Sequence, residues 1–222
     1  MKNDIPTLKQ LLINEIPPGF SRALYDRIWD IYPESFTAMF TDPLLGDEQA
    51  NYVLGYYRRG LAETVFMNTA AEFGLSTKLV QPENGGCKHV YVSTGRFGFT
   101  MFHVPSRAGF PKHSDCREQS SKINAHIQQQ SLFPIDSRPD KETIYGVFVH
   151  TEHIGKKDAF NSLSVGFPNP KFSDWVEEPI DIQDLIDIQQ KRFQDQEDVY
   201  AESQHTDPVW KKTHKSEKEG EQ

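Results

Sequence analysis

The chain has 222 residues, of which 36% are hydrophobic and 12% aromatic, and these values fit a globular domain with extensions and exclude a wholly disordered protein. Its formal net charge of −8 disfavours a general nucleic-acid-coating role. No apolar run is long enough for a membrane helix, and the N-terminus lacks the apolar segment of a signal peptide. Because two cysteines also fit a reducing compartment, we expect a cytoplasmic protein that does not enter a membrane.

The first third of the chain predicts helices. One helix begins at Ser21 and is expected to end before Pro33, because proline disfavours helical backbone in the residue that precedes it. A longer helix is predicted over residues 47–74. Gly55 and Gly60 each weaken its middle by about 1 kcal/mol relative to alanine, so a kink or two shorter helices is the alternative.

Between residues 77 and 104 the apolar pattern changes to a period of two, which predicts strands, and the run 143–151 is apolar on both faces, which suits an interior strand. Strands are expected at 77–82, 88–94, 97–104, 143–151 and 161–167. A helix that begins at Asp115 and reaches about Gln130 separates the third strand from the fourth. A crossover at this helix would make those two strands a parallel pair.

The order of these elements predicts an α+β fold. We expect N-terminal helices, a mainly antiparallel sheet of about five strands with an inserted helix, a C-terminal helix from about Ile180, and a charged disordered tail. The predicted divisions are an N-terminal helical segment at 1–46, an α+β core domain at 47–194 and the tail at 195–222.

Positive charge is concentrated in residues 85–126, which hold six basic and two acidic residues, a local charge of +4. Arginine suits an anion site because its planar guanidinium makes paired hydrogen bonds to carboxylate or phosphate. The tract therefore predicts a surface for an anionic partner, either an acidic protein or nucleic acid, built from Arg96, Arg107, Lys112, Arg117 and Lys122. Arg58 and Arg59 lie within a predicted helix, and we expect them on its solvated face.

The aromatic residues of the same tract are expected in the core. They are Phe97, Phe99, Phe102 and Phe110. Aromatic side chains among basic ones also occur on surfaces that stack nucleic-acid bases. The strand-like alternation favours the core interpretation here.

Two pairs of residues suggest zinc, the only cofactor that the sequence raises. Cys87 and His89 would share a strand face, and His113 and Cys116 flank the predicted helix start. This spacing matches no standard zinc finger, so the favoured interpretation is two reduced cysteines and two unrelated histidines. Cys116 and His113 are also close in sequence, but catalytic cysteine and histidine usually meet through the fold.

His150 and Glu152 end an apolar strand and lie on the same face of it. A histidine and a carboxylate so placed can act as an acid–base pair or as ligands. A polar strand end that enters a loop is the favoured interpretation.

The β-β-β-α-β order after a long helix resembles that of PD-(D/E)xK nucleases. That resemblance implies an acidic residue on the second strand and an E-x-K pair on the third, which together hold a divalent cation. The third strand here, RFGFTMFHV, has neither an acid nor a lysine, and Lys88 and His89 stand where the acid of the second strand is expected. The sequence therefore argues against this chemistry.

Residues 58–168 resemble a group of bacterial and prophage-type proteins without an assigned activity. The segments that carry the resemblance are RRGLAETVFMNTAAEFGL, KHVYVSTGRFGFTMFHV, DCREQSSKINAHI, YGVFVHTEHIG and LSVGFPNP. The resemblance implies the same α+β layout and carries over no catalytic residues.

Together these patterns predict a non-enzymatic, cytoplasmic protein of bacterial or phage type that binds an anionic partner. The first alternative is a divergent metal-dependent hydrolase or nuclease-like enzyme that uses the cysteine–histidine set or the His150–Glu152 pair. The second is an oligomeric structural or regulatory protein whose interface is an exposed strand edge or the C-terminal helix.

Overall fold

In the computed structural model, residues 7–81, 88–104, 109–128 and 143–205 are described. The helices are α1 (Leu8–Glu15), α2 (Phe20–Phe40), α3 (Asp47–Glu72), α4 (Asp115–Ser121), α5 (Ala125–Gln128) and α6 (Ile182–His205). The strands are β1 (Ser76–Val80), β2 (His89–Ser93), β3 (Phe97–Val104), β4 (Ile144–His153), β5 (Lys156–Gly166) and β6 (Ile180–Asp181). The predicted α+β class is confirmed.

The strands of the described part form one sheet in chain order, β1 to β6. Every neighbouring pair is antiparallel except β3 and β4, which are parallel as the predicted crossover requires. The β3–β4 ladder runs from Phe97 to Val104, whereas the β2–β3 ladder is confined to Val92–Phe99 and Ser93–Gly98. The rest of β2 is therefore held by β1 rather than by β3.

The sheet has a different cover on each face. Helices α1, α2, α3 and α6 pack on one face, which we call the helix face, around side chains such as Phe66, Phe99 and Phe148. A smaller cluster that includes Phe102, Tyr145 and Phe172 lies on the other face, which we call the loop face. Segments 109–128 and 167–176 cover the loop face. Phe97, Phe99 and Phe102 are buried, which confirms their core placement.

The prediction that a helix ends before Pro33 is wrong, whereas the prediction of one long helix over residues 47–74 is confirmed. Helix α2 continues through Pro33, which is exposed while its neighbours Ile31 and Tyr32 are buried. A proline on the solvent side leaves the carbonyl one turn earlier to water, and packing of the opposite side holds the helix together. Helix α3 is also continuous, because no atom lies within 4 Å of the Cβ positions of Gly55 and Gly60 and buried residues at four-residue spacing hold its other side.

The helix predicted from Asp115 to about Gln130 is interrupted. Its N-cap is Ser114, whose Oγ accepts a hydrogen bond from the amide of Arg117, and a 3₁₀ turn at Lys122–Asn124 separates α4 from α5. At this turn the side chain of Asn124 donates to the carbonyls of Tyr145 and Pro168 and accepts from the amide of Tyr145, each at 2.8 Å. These three hydrogen bonds attach segment 109–128 to β4 and to the chain that follows β5.

The C-terminal helix α6 extends to His205, past the boundary predicted at residue 194. The rest of the predicted tail, residues 206–222, lies outside the described residues. In the described ranges, no helix combines the length and the apolar character needed to cross a membrane.

Candidate functional site

The predicted basic residues do not all lie together. Arg96, in the turn between β2 and β3, has its Nε 3.6 Å from the carboxylate of Glu15 in α1, on the helix face. Arg117 lies on the loop face over the ring of Phe102, which is six residues after Arg96 in the chain. At a rise of about 3.3 Å per residue, the corresponding strand positions are separated by roughly 20 Å. Arg107 lies outside the described residues.

Arg117 is a half-buried cation with no carboxylate partner within 4 Å in the part of the chain that the structure describes. Its guanidinium carbon is 3.7 Å from the centre of the Phe102 ring, and its Nη1 donates to the carbonyl of Lys112. Burial lowers the pKa of Arg117, and the negative charges that Tyr145, Cys116 and Glu63 can carry oppose this shift without contacting the guanidinium. A guanidinium has five N–H donors, so this arrangement leaves donor capacity for an anion.

The other two basic residues are exposed and flank Arg117 in the chain. The main chain of Lys112 is joined to Arg117 by the hydrogen bond just described, and its side chain is exposed. Lys122 lies after the end of α4, where its ammonium donates to the amide oxygen of Gln119 at 3.1 Å. Lys112, Arg117 and Lys122 thus belong to segment 109–128, which covers part of the loop face. We call these three residues the basic segment.

The predicted cysteine–histidine set is only partly assembled. The sulfur of Cys116 is 3.8 Å from both ring nitrogens of His89, which is buried. His113 instead contacts the carboxylate of Glu118 at 3.0 Å, and Cys87 lies outside the described residues. Within the described ranges, no group of three or more histidine, cysteine or acidic side chains is placed to hold a metal ion.

The contact between Cys116 and His89 is not that of an activated thiolate. A sulfur that is equally far from both ring nitrogens is not aligned with the lone pair of either one. Burial raises the pKa of the Cys116 thiol, and the neighbouring charge of Arg117 only partly opposes the shift. A nucleophilic cysteine needs a lowered pKa, so these two residues do not form a ready catalytic pair.

A second group of polar side chains lies on the helix face, at the carboxyl ends of β3 and β4. It consists of Tyr32, Arg58, His103, His150 and Glu152, and we call it the histidine cluster. His103 and His150 are partners in the parallel ladder, and their ring centres are 5.3 Å apart. His150 is 1% exposed, and its Nδ1 is 2.8 Å from the hydroxyl of Tyr32.

Arg58 is the buried charge of this cluster. It is 3% exposed, so its predicted place on a solvated helix face is wrong. Its Nη1 donates to Glu152 at 2.9 Å, its Nε to Ser35 at 3.1 Å and its Nη2 to the carbonyl of Lys157 at 2.5 Å. The guanidinium also lies 4.2 Å from the centre of the Tyr32 ring. All three of its nitrogens therefore have partners in the fold.

The environment of the cluster shifts three pKa values. Burial lowers the pKa of His150 well below its ordinary value, and the neighbouring His103 and Arg58 add to the shift. Burial also lowers the pKa of His103, which Glu152 partly opposes. Burial raises the pKa of Tyr32, so its hydroxyl stays protonated and can donate to His150.

The sequence identified His150 and Glu152 as a pair but missed their neighbours. A signal for Arg58 was present, because it stands between Leu54 and Ala62 at the four-residue spacing of the buried side of α3. His103 similarly alternates with Phe99 and Met101, which are buried on the helix face. Tyr32 carried no such indication of a polar role.

Comparisons with protein-family models, curated proteins and solved structures found no match to this chain. The candidate sites therefore rest on the chemistry and geometry of the residues themselves.

Proposed function

We propose that the protein binds an anionic partner, an acidic protein surface or a nucleic acid, through the basic segment on the loop face. The proposal describes a non-enzymatic protein of bacterial or phage type that acts in the cytoplasm, as the composition and the resemblance imply. Arg117 is its central contact, and Lys112 and Lys122 flank it. Arg96 and Arg107 are not needed for this proposal.

The observation that carries it is the half-buried guanidinium of Arg117 without a carboxylate partner among the described residues. Removing a charge from water has a free-energy cost, and buried charges in proteins are usually paired. An incoming phosphate or carboxylate would supply the missing counter-charge and accept hydrogen bonds from the remaining N–H groups. The same donors are less suited to a neutral ligand.

The test compares two identical substitutions at two arginines. Arg117→Gln keeps a long polar side chain and removes the charge, and Arg96→Gln makes the same change at the arginine beside Glu15. Binding is measured by fluorescence anisotropy with two labelled probes, an oligothymidylate of about 20 nucleotides and an oligoglutamate peptide. We expect Arg117→Gln to weaken binding about tenfold, the value of one charge-assisted hydrogen bond, and Arg96→Gln to leave it within about twofold.

The choice of probe and the salt dependence identify the partner class. Contacts to nucleic-acid phosphates should make affinity for the oligonucleotide fall steeply between about 50 and 200 mM salt, with a shallower slope for Arg117→Gln. Preference for the peptide would indicate an acidic protein surface. Equal affinities of wild type and Arg117→Gln for both probes, or no binding of either, would refute the proposal.

The 3.8 Å contact between Cys116 and His89 makes the enzymatic alternative testable. If these residues performed thiol chemistry, Cys116 would react with iodoacetamide faster than a free thiol, and His89→Gln would slow that reaction. The raised pKa of Cys116 predicts the opposite, a rate below that of free cysteine at neutral pH. Zinc analysis of protein purified without a histidine tag tests the metal-dependent version of the same alternative.

A further inference from the structure

The histidine cluster connects the sheet with the helices that cover its helix face. Tyr32 comes from α2, Arg58 from α3, His103 from β3, and His150 and Glu152 from β4. Strand β4 is irregular at this point, since its register with β5 shifts at Glu152. The polar contacts of the cluster therefore join both long helices to the centre of the sheet.

His103 is the histidine of the cluster that protons from the solvent can reach. Its side chain is 32% exposed, whereas the ring behind it, His150, is 1% exposed. The Nε2 of His103 is 4.0 Å from the Oε2 of Glu152, which is the same oxygen that Arg58 contacts at 2.9 Å. A proton on His103 would thus place a second cation beside a carboxylate already used by Arg58.

Among the described residues, only Glu152 brings a negative charge to the two rings that could offset such a proton. Helix α2 contributes the neutral phenol of Tyr32, and α3 contributes the cation of Arg58. Strand β5 contributes the apolar Leu163, the ladder partner of His150, while the ammonium of Lys157 is directed to Asn51 at 2.8 Å. Glu152 is the one carboxylate that the described residues place beside His103.

We propose that the histidine cluster is a proton-sensitive joint, at which mild acid weakens the packing of α2 and α3 on the sheet. The proposal is independent of anion binding on the opposite face. Protonated His150 would have to keep a charge among apolar and aromatic side chains, and its ring would repel protonated His103 and Arg58. Both effects are relieved when the helices move away and water enters.

The sign of the pH effect follows from the environment of the rings. Because both imidazoles hold protons less readily in the folded protein than in the unfolded chain, the unfolded chain takes up protons first as the pH falls. Stability is therefore full above the ordinary histidine pKa of 6.5 and decreases below it. Between about pH 7 and 5.5, each such histidine raises the unfolding equilibrium constant by up to about eightfold.

The test measures urea unfolding at about pH 7 and 5.5 for wild type, His103→Gln and the control His113→Gln. His113 is exposed and lies outside the histidine cluster, so its replacement controls for the loss of an imidazole elsewhere in the protein. We expect His103→Gln to reduce the acid-induced change in the unfolding constant by up to about eightfold. An equal change in wild type and His103→Gln would overturn the proposal.

Two measurements on the wild-type protein keep the proposal falsifiable if His103→Gln does not fold. In an NMR titration of the imidazole Cε1 protons, two histidines should titrate below 6.5, and titration of all of them at or above 6.5 would overturn it. Hydrogen exchange, corrected for the intrinsic effect of pH, should show faster opening of α2 and α3 at about pH 5.5 than at pH 7. An opening confined to other elements would also overturn it.

Discussion

Each face of the sheet holds an arginine that is at least half-buried, and the two arginines differ in their partners. On the helix face, Arg58 has a carboxylate, a hydroxyl and a carbonyl as partners. On the loop face, Arg117 rests on the ring of Phe102 and donates to one carbonyl, with no carboxylate within 4 Å among the described residues. Each nitrogen of the first arginine has a partner in the fold, whereas the second donates to one carbonyl among the described residues. Burial of an arginine therefore does not by itself indicate a binding site. The groups of the fold that contact the guanidinium must be identified first.

The largest effect that this comparison predicts is that of Arg58→Gln. The change leaves Glu152 without its counter-ion in a partly buried site and removes the bonds to Ser35 and to the Lys157 carbonyl, so we expect a loss of about 3 kcal/mol in the free energy of unfolding. The control is Arg59→Gln, whose partner Glu63 lies one turn away in the same helix, and it should cost no more than about 0.5 kcal/mol. Urea unfolding measures both. Equal losses would show that Arg58 is not held as its contacts indicate.

Asn124→Ala should have the next largest effect, of about 2 kcal/mol. Its side chain makes three hydrogen bonds to the backbone groups of Tyr145 and Pro168, and alanine would leave these groups unsatisfied in a buried place. The matched control is Asn169→Ala, which removes an amide from the exposed turn before Ser173. Thermal and urea unfolding of both variants would check the difference. A small loss for Asn124→Ala would mean that segment 109–128 is attached by other contacts.

The smallest effect on stability is predicted for Arg117→Gln. Loss of the contact with Phe102 costs about 0.5–1 kcal/mol, and removal of a half-buried charge returns part of this. We therefore expect the free energy of unfolding to change by less than about 1 kcal/mol, while anion binding weakens about tenfold. If Arg117→Gln instead destabilised the protein as strongly as Arg58→Gln, the contrast between the two faces would be wrong.

The sequence predicted most of the order of elements and only part of their continuity. Alternation located the strands to within a few residues, and the helix between the third and fourth strands correctly implied a parallel pair. Pro33 was misjudged because the effect of a proline depends on which side of the helix faces the solvent, whereas the long helix that contains Gly55 and Gly60 was predicted. The interruption at Asn124 was missed because its three bonds are made to residues at least 21 positions away.

The candidate sites were less predictable than the fold. His150 and Glu152 share a strand face, as alternation requires, but their partners come from α2, α3 and β3. Cys116 was matched in sequence with His113, whereas the fold places it beside His89. The anion surface as a whole stays a prediction, now centred on Arg117.

By itself, the sequence determined the periods of its apolar residues, and with them the order of helices and strands, the aromatic core and the basic tract after the first hairpin strand. The tertiary structure alone decided which charged side chains are buried and which of them have partners. The reason is physical, because the burial of Arg58 and His150 and the partial burial of Arg117 depend on what covers each face of the sheet. That cover is supplied by segments distant in the chain, whose approach no local pattern encodes.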